Sequence, residues 1–322
     1  MLKVFITRKI PQPGIDLLEK HFTVIVNPHD RPLTRKELLA GTADADGVLC
    51  LLTDTIDKEV FNAAVKSRGF ANYAVGYDNL DVQEATSRKI PLSNTPGVLT
   101  DATAEMAWAL LFAAARRVVE SDRVMRSGAW HGWGPLQFIG GDVTGRTLGV
   151  VGAGRIGTAF ALKSKGFSMR VLYTDSRRND VLEKSIGAVK TDFETLVRES
   201  DFISIHCPLL TETTHLFHSK IFTLMKKTAC LINTARGPIV KEADLVKALK
   251  NGEIAGAGID VYENEPAADP GLHECRNLVM TPHTASATNS SRTGMAVLAA
   301  RNLIAMMRGE RPENCINPEI YT

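Results

Sequence analysis

The chain has 322 residues, more than one compact unit of roughly 100–200 residues usually holds, so two domains are expected. Its 44% hydrophobic and 23% charged residues exclude a disordered or fibrous chain and describe an ordinary folded one. The net charge is only +2, with Lys and Arg interspersed among Asp and Glu, so neither nucleic acid nor a membrane is expected as partner, and a small molecule is.

The chain opens Met1-Leu2-Lys3-Val4-Phe5-Ile6-Thr7-Arg8, a short apolar run carrying charges, which predicts a strand and neither a secretory nor a transit signal. No apolar run approaches the ~20 residues of a spanning helix. Cys50, Cys207, Cys230, Cys275 and Cys315 are scattered and odd in number, without Cys-x-x-Cys spacing. Reduced thiols in the cytoplasm and no metal site are the expectation.

Strand-like runs at Val4 to Thr7, Val24 to Val26, Gly47 to Leu52, Leu148 to Gly152, Arg170 to Tyr173, Phe202 to His206 and Ala229 to Asn233 alternate with helical patterns. That alternation signals parallel sheets with crossover helices. Asn94-Thr95-Pro96-Gly97 breaks the pattern before a long helix opening near Thr100 or Asp101. The polar, small-residue stretch Thr284 to Ser291 precedes a last helix through Met295, Leu298, Leu303 and Met307, ended by Gly309 and Pro312. The predicted fold class is α/β with two doubly wound parallel-sheet domains. Residues 1–97 and 289–322 form a flavodoxin-like substrate domain, into which a Rossmann dinucleotide-binding domain of residues 98–288 is inserted.

Within the inserted part, Thr147-Leu148-Gly149-Val150-Val151 runs into Gly152-Ala153-Gly154-Arg155-Ile156-Gly157 and then a helical pattern from Thr158 to Lys165. A bare G-x-G-x-x-G is also an ordinary glycine turn, but strand, turn and helix here follow in the order a dinucleotide site needs. The glycines let the backbone approach a pyrophosphate, and the helix start supplies free N–H groups. The next apolar run ends at Asp175, 23 residues beyond Gly152, placed to accept the adenosine ribose hydroxyls. A carboxylate there repels a 2′-phosphate and points to NAD, while Ser176-Arg177-Arg178 offers guanidinium forks that keep NADP open.

Three later blocks hold polar residues at strand ends, where ligands sit in an open parallel sheet. They are Asn233-Thr234-Ala235-Arg236-Gly237, Asp260-Val261-Tyr262-Glu263-Asn264-Glu265-Pro266 and Thr281-Pro282-His283-Thr284-Ala285-Ser286-Ala287-Thr288. In identity, order and spacing, with 29 residues from Arg236 to Glu265 and 18 more to His283, the sequence resembles the D-isomer-specific 2-hydroxyacid dehydrogenase family. The resemblance implies hydride transfer between NAD(P) and a small 2-oxo or 2-hydroxy acid by a catalytic set of Arg236, Glu265 and His283. Physical need agrees. Arg236 is a permanent cation whose fork suits a carboxylate and a ketone. An imidazole such as that of His283 suits giving or taking a proton, and Glu265 on its other ring nitrogen would favour the imidazolium.

The likeness extends over nearly the whole chain. It implies substrate contacts from the backbone of Val75 and Gly76, an apolar cap at Leu52, and Ser286 as a polar neighbour of the histidine. On the cofactor side it implies Thr103 and Asp260 near the nicotinamide, together with the glycine turn from Gly152 through Gly154, Arg155 and Ile156 to Gly157. Further cofactor contacts fall on Asp175, Arg177, Cys207, Pro208, Thr213, Thr234, Ala235 and His283. His21, His29, His131, His206, His215, His218 and His273 have no comparable setting, and His206 matches a backbone contact only. Val48 to Asp54, Arg116 to Glu120 and Gly128 to Leu136 look most like glyoxylate/hydroxypyruvate reductases.

Two departures stand out. Gln137 occupies a position where some of these reductases carry a Trp that reaches the partner subunit, and Lys66-Ser67-Arg68-Gly69 replaces an apolar strand. The polar replacement predicts that the strand there is shortened or left at an edge. The resemblance also implies a homodimer formed through the dinucleotide domain. Competing readings keep the chemistry on pyruvate, a longer 2-oxo acid or phosphoglycerate, or make the chain an NAD(H)-sensing corepressor-like scaffold. The lack of disordered extensions speaks against the scaffold.

Overall fold

A computed structural model describes residues 1–321 of the chain. They form two units, Met1–Leu99 with the residues from Ala287 onward, and Thr100–Ser286. In the first unit β1 (Lys3–Ile6), β2 (Thr23–Val26), β3 (Gly47–Cys50), β4 (Phe70–Asn72) and β5 (Leu92–Ser93) lie parallel in the order β2-β1-β3-β4-β5. This is the flavodoxin-like doubly wound order. Its strands β1 and β3 carry the apolar runs Val4-Phe5-Ile6 and Val48-Leu49-Cys50, as expected where both faces of a parallel sheet are covered, and Val4, Ile6, Val48, Leu49 and Phe70 are fully buried. The helix Asn289–Met307, from far along the sequence, packs on β3, β4 and the helix Gln12–Glu19. A Cβ on Gly14 would lie 2.7 Å from the Ala296 carbonyl oxygen, so glycine is what allows these two helices to meet so closely.

One local expectation holds in its first form and two boundaries move. The polar stretch Lys66–Gly69 shortens β4 to three residues but does not leave it at an edge, since β4 pairs with both β3 and β5. The stretch is a tied turn: Lys66 Nζ meets Asp44 at 2.6 Å, the Arg68 N–H donates to Asp46 O at 2.7 Å, and Arg68 Nη1 donates to Met307 O at 3.1 Å. At the last helix, Asn289, Ser290 and Ser291 are already helical, because the Thr288 hydroxyl caps it by accepting the Ser291 N–H at 3.2 Å. β3 stops at Cys50, short of Leu52, because the Leu51 N–H donates to the Asp54 carboxylate at 2.8 Å.

In the second unit β6 (Thr147–Val151), β7 (Arg170–Thr174), β8 (Val189–Lys190), β9 (Phe202–Ile205), β10 (Cys230–Asn233), β11 (Gly256–Ile259) and β12 (Leu278–Met280) form one parallel sheet. Its order is β12-β11-β10-β9-β6-β7-β8. The winding reverses between β6 and β9, the switch point at which dinucleotides bind. The helix Thr100–Ala115 lies on β10 and β11. Trp108 in it donates its indole N–H to Phe160 O at 3.0 Å and stacks on that ring at 4.9 Å. Among the described residues no helix is long and apolar enough to cross a membrane.

Candidate active site

The loop leaving β6 is shaped for a ligand's backbone-close approach. Gly152 has φ +92°, and a Cβ on it would lie 2.5 Å from Cys207 N, so a side chain is excluded twice over. A Cβ on Gly157 would lie 2.0 Å from Gly152 O, which draws the helix Arg155–Lys163 tightly under the turn. Gly154 precedes that helix, whose first N–H groups, from Arg155, Ile156 and Gly157, have no partner within it.

Asp175 at the end of β7 accepts the Ala153 N–H at 2.8 Å with one oxygen, and the Arg177 N–H and Ser176 hydroxyl at 3.1 and 3.2 Å with the other. The Arg178 guanidinium is paired with Glu183, whereas that of Arg177 is exposed. Beyond β9, the Thr213 hydroxyl staples its loop by donating to Pro208 O and accepting the Leu210 N–H, both at 2.7 Å. Half-buried Cys207 has its thiol pushed up to about 11 by burial and by the Asp175 charge, so it stays protonated at neutral pH. His206 is inert: burial lowers it to about 3, and its Nε2 sits 2.8 Å from the Ser204 hydroxyl.

Two further candidate residues lie in this unit. The Thr234 hydroxyl, just past β10, is buried without a protein partner, and a buried polar atom of that kind awaits one. Thr103 is buried in the first turn of Thr100–Ala115.

The loops after β10, β11 and β12 interlock at the same end of the sheet. Asn233 folds the first, donating to Arg236 O at 2.9 Å and accepting the Ala235 N–H at 3.0 Å. Arg236 itself donates to Ala235 O at 2.8 Å. The Asp260 carboxylate, fully buried, faces the loop after β12: it accepts the Thr281 hydroxyl at 2.6 Å and the Thr284 and Ala285 N–H groups at 2.8 and 2.7 Å. That web holds His283 at φ +54°, a left-handed backbone that a non-glycine residue seldom adopts outside over-determined sites.

His283 Nδ1 lies 2.8 Å from Glu265 Oε2. Burial would push the Glu265 carboxyl up, but the His283 hydrogen bond and charge, the Tyr262 N–H and the Arg236 charge outweigh it and hold the group below the usual glutamate range. A carboxylate can only accept, so in this pair Nδ1 carries a proton and Nε2 is left outside it. Tyr262 locks the two loops by donating its hydroxyl to Thr281 O at 2.9 Å. Burial, with Asp260 and Glu265 nearby, pushes that phenol up to about 12.

In the first unit, Leu52, Val75 and Gly76 are partly exposed on two loops whose carbonyls are held by asparagine amides. Asn79 donates to Leu51 O and Asp54 O at 3.1 and 2.9 Å, Asn72 donates to Gly76 O at 3.1 Å, and Asn94 donates to Val75 O at 2.8 Å. Asp54, raised by burial, accepts the Thr7 hydroxyl at 2.5 Å. Ser286 is half-buried at the end of the second unit. Sequence reasoning passed over this asparagine network and also His215, which meets Glu263 at 2.6 Å. Partners 48 residues apart leave no local pattern to read.

A cavity of about 710 Å³ opens at the opposite, amino-terminal ends of β9, β10 and β12, lined by Arg117, Arg146, Lys227 and Arg276 among others. None of the candidate residues lines it, and hydrogen-bond geometry, not concavity, locates the site. Among the described residues no cluster of His, Cys, Asp or Glu is arranged to hold a metal ion.

Comparison with known proteins agrees with this geometry. A family model described as "D-isomer specific 2-hydroxyacid dehydrogenase, NAD binding domain" matches residues 108–285. The chain is 50% identical to a glyoxylate reductase of Thermococcus litoralis, over 99% of this chain and 98% of that one. Among solved structures it is similar to the TT0316 protein from Thermus thermophilus, with TM-score 0.91 and 39% identity over 98% of this chain and all of that one. It is also similar to an NADPH-dependent glyoxylate/hydroxypyruvate reductase from Sinorhizobium meliloti in complex with NADP and malonate, with TM-score 0.85 and 28% identity over 98% and 96% of the two chains.

Proposed function

Because the chain belongs to the D-isomer specific 2-hydroxyacid dehydrogenase family, we propose that it reduces glyoxylate, and hydroxypyruvate beside it, to the 2-hydroxy acid with NADH or NADPH. The observation that carries this reading is the 2.8 Å contact of His283 with Glu265, beside Arg236, at the carboxyl end of a sheet whose switch point holds the glycine turn. The choice of substrate is supported by half-identity to a glyoxylate reductase over almost the entire length.

In the proposed mechanism the bound nicotinamide cofactor supplies the hydride to C2 of the 2-oxo acid. Arg236 holds the substrate carboxylate and polarises the ketone, a task its fixed charge and planar fork suit. His283 gives the Nε2 proton to the ketone oxygen as that oxygen gains charge, and regains a proton from solvent after product leaves. Glu265 stabilises the imidazolium through Nδ1 and so acts by positioning and charge. Leu52, Val75, Gly76 and Ser286 are assigned to the substrate. The glycine turn, Thr103, Asp175, Arg177, Cys207, Pro208, Thr213, Thr234 and Ala235 are assigned to the dinucleotide, and so is Asp260, which acts through the loop it organises. NADH is the proposed first choice, since Asp175 opposes a 2′-phosphate and Glu183 already occupies Arg178.

The protein is further proposed to be a cytoplasmic homodimer. Supporting this, the large apolar side chains Trp133 and Leu136 are each 83% exposed and Ile139 is 62% exposed within one short stretch, surface that a partner would bury, and all five cysteines are free thiols.

The decisive assay follows NADH and NADPH absorbance with glyoxylate, hydroxypyruvate and pyruvate, alongside His283→Gln. Turnover with either of the first two acids, lowered by roughly 10²–10⁴-fold in the variant while dinucleotide binding persists, is the expected result. Dinucleotide binding without turnover of any 2-oxo acid would sink the reading and favour a sensing scaffold.

A further inference from the structure

The loop that presents Glu265 is fixed by its neighbour, Glu263. Glu263 Oε2 accepts the Glu242 N–H at 2.8 Å, and Glu242 Oε1 accepts the Glu263 N–H at 2.7 Å. These reciprocal bonds tie the turn after β11 to the start of the helix Glu242–Lys250. The second Glu242 oxygen accepts the Asp269 N–H at 2.8 Å, so one buried carboxylate holds both ends of the segment around Glu265. Glu263 Oε1 is left for His215 Nε2, 2.6 Å away.

His215 belongs to the loop after β9 that also contains Cys207, Pro208 and Thr213. Its backbone is forced to φ +53°, and its N–H donates to Pro238 O at 2.7 Å. Immediately afterwards Phe217 forms a bridge with Val240. A half-exposed histidine with a left-handed backbone, held by the Pro238 segment through its N–H and by Glu263 through its ring, is over-determined for a surface residue, and strain of that kind persists where its surroundings fix it.

We propose that His215, Glu263 and Glu242 form a positioning device that joins the loop after β9 to the turn after β11 and thereby sets Glu265 against His283 Nδ1. The proposal rests on the dehydrogenase reading above. His215 and Glu263 touch neither the reacting atoms nor His283, and they act only through where they hold Glu265. A displacement of about 1 Å in a reacting group costs up to ~10²-fold in rate, so a loosened turn should show in kcat and not in dinucleotide affinity.

The test compares His215→Ala with His215→Gln, whose amide Nε2 can donate to Glu263 Oε1 in place of the imidazole. With glyoxylate as substrate, kcat should fall about tenfold in His215→Ala, return to within about threefold in His215→Gln, and leave the dissociation constant for NADH within about twofold in both. Combined with Glu265→Gln, His215→Ala should add nothing further, because it works through the group already removed. Full additivity in that cycle, unchanged kcat in His215→Ala, or failure of the glutamine to rescue would overturn the proposal.

Hydrogen exchange gives a readout that needs no turnover. His215→Ala should speed exchange across Val261–Glu265, where the Tyr262 N–H is bonded to Glu265 at 3.1 Å, and leave the Gly152–Gly157 turn unchanged. Unchanged exchange in Val261–Glu265 would overturn the device whether or not the protein reduces a 2-oxo acid, whereas absent turnover in the parent protein with the exchange effect intact would overturn only the dehydrogenase reading. If His215→Ala fails to fold, Glu263→Gln takes its place: its amide keeps an acceptor for the Glu242 N–H, and the same exchange and kcat effects are expected.

Discussion

At His283 the backbone conformation and the side-chain partner are set by different residues: Asp260 fixes the first through the loop, and Glu265 fixes the second. The division predicts how acid should act. The Glu265 carboxyl lies below the ordinary range, so its folded value is lower than its unfolded one, about 4.3. Its contribution to stability is therefore present above that unfolded value and is lost as pH falls through the folded one. In urea titrations the stability gap between the parent protein and Glu265→Gln should be open at about pH 6 and shrink toward about pH 3; a gap independent of pH would show that the charge of Glu265 is not coupled to folding. Asp175 offers a second test at this scale. Asn at this position keeps an acceptor for the Ala153 N–H but removes the repulsion of a 2′-phosphate, so Asp175→Asn should move the NADPH/NADH preference toward NADPH by about tenfold, ~1.4 kcal/mol, in parallel kcat/KM measurements.

At the scale of elements, the strands that can be read from sequence are the apolar runs buried on both faces, such as Val48-Leu49-Cys50 and Leu231-Ile232. β5 and β8 have two residues each and β11 reads Gly-Ala-Gly-Ile, so periodicity has nothing to act on, and only pairing with neighbours reveals them. The boundaries moved where a side chain intercepts the backbone, as Asp54 does at Leu51 and Thr288 at Ser291. The candidate site was legible for a related reason. Glycine turn, arginine, glutamate and histidine each lie in a local block, while Asn79, His215 and Glu242 act through long-range bonds and leave no such trace. Packing between elements can be tested at Gly14: Gly14→Ala drives a methyl into the Ala296 carbonyl and should lower the unfolding free energy by ~1–3 kcal/mol, read from the denaturant midpoint. An unchanged midpoint would mean that the two helices have slack.

For the whole molecule, the exposed Trp133 and Leu136 set the expected assembly. Sedimentation of the parent protein should give a dimer, and of a Trp133→Ser, Leu136→Ser double variant a monomer; a monomeric parent would leave this patch to another partner. The way the first unit is composed bears on how the chain is made. Its sheet comes from Lys3 to Ser93, but the helix that covers β3 and β4 is Asn289–Met307. On a ribosome adding ~5–20 residues per second, that sheet emerges and then waits while all of Thr100–Ser286 is synthesised, roughly 10–40 s by the same rates. During that interval an apolar face of the sheet stands bare, and the dinucleotide unit gains every residue it needs to fold before the covering helix is made. A helix translated late thus closes a sheet translated early, and the nascent chain's exposure to chaperones and proteases falls on residues that left the ribosome long before.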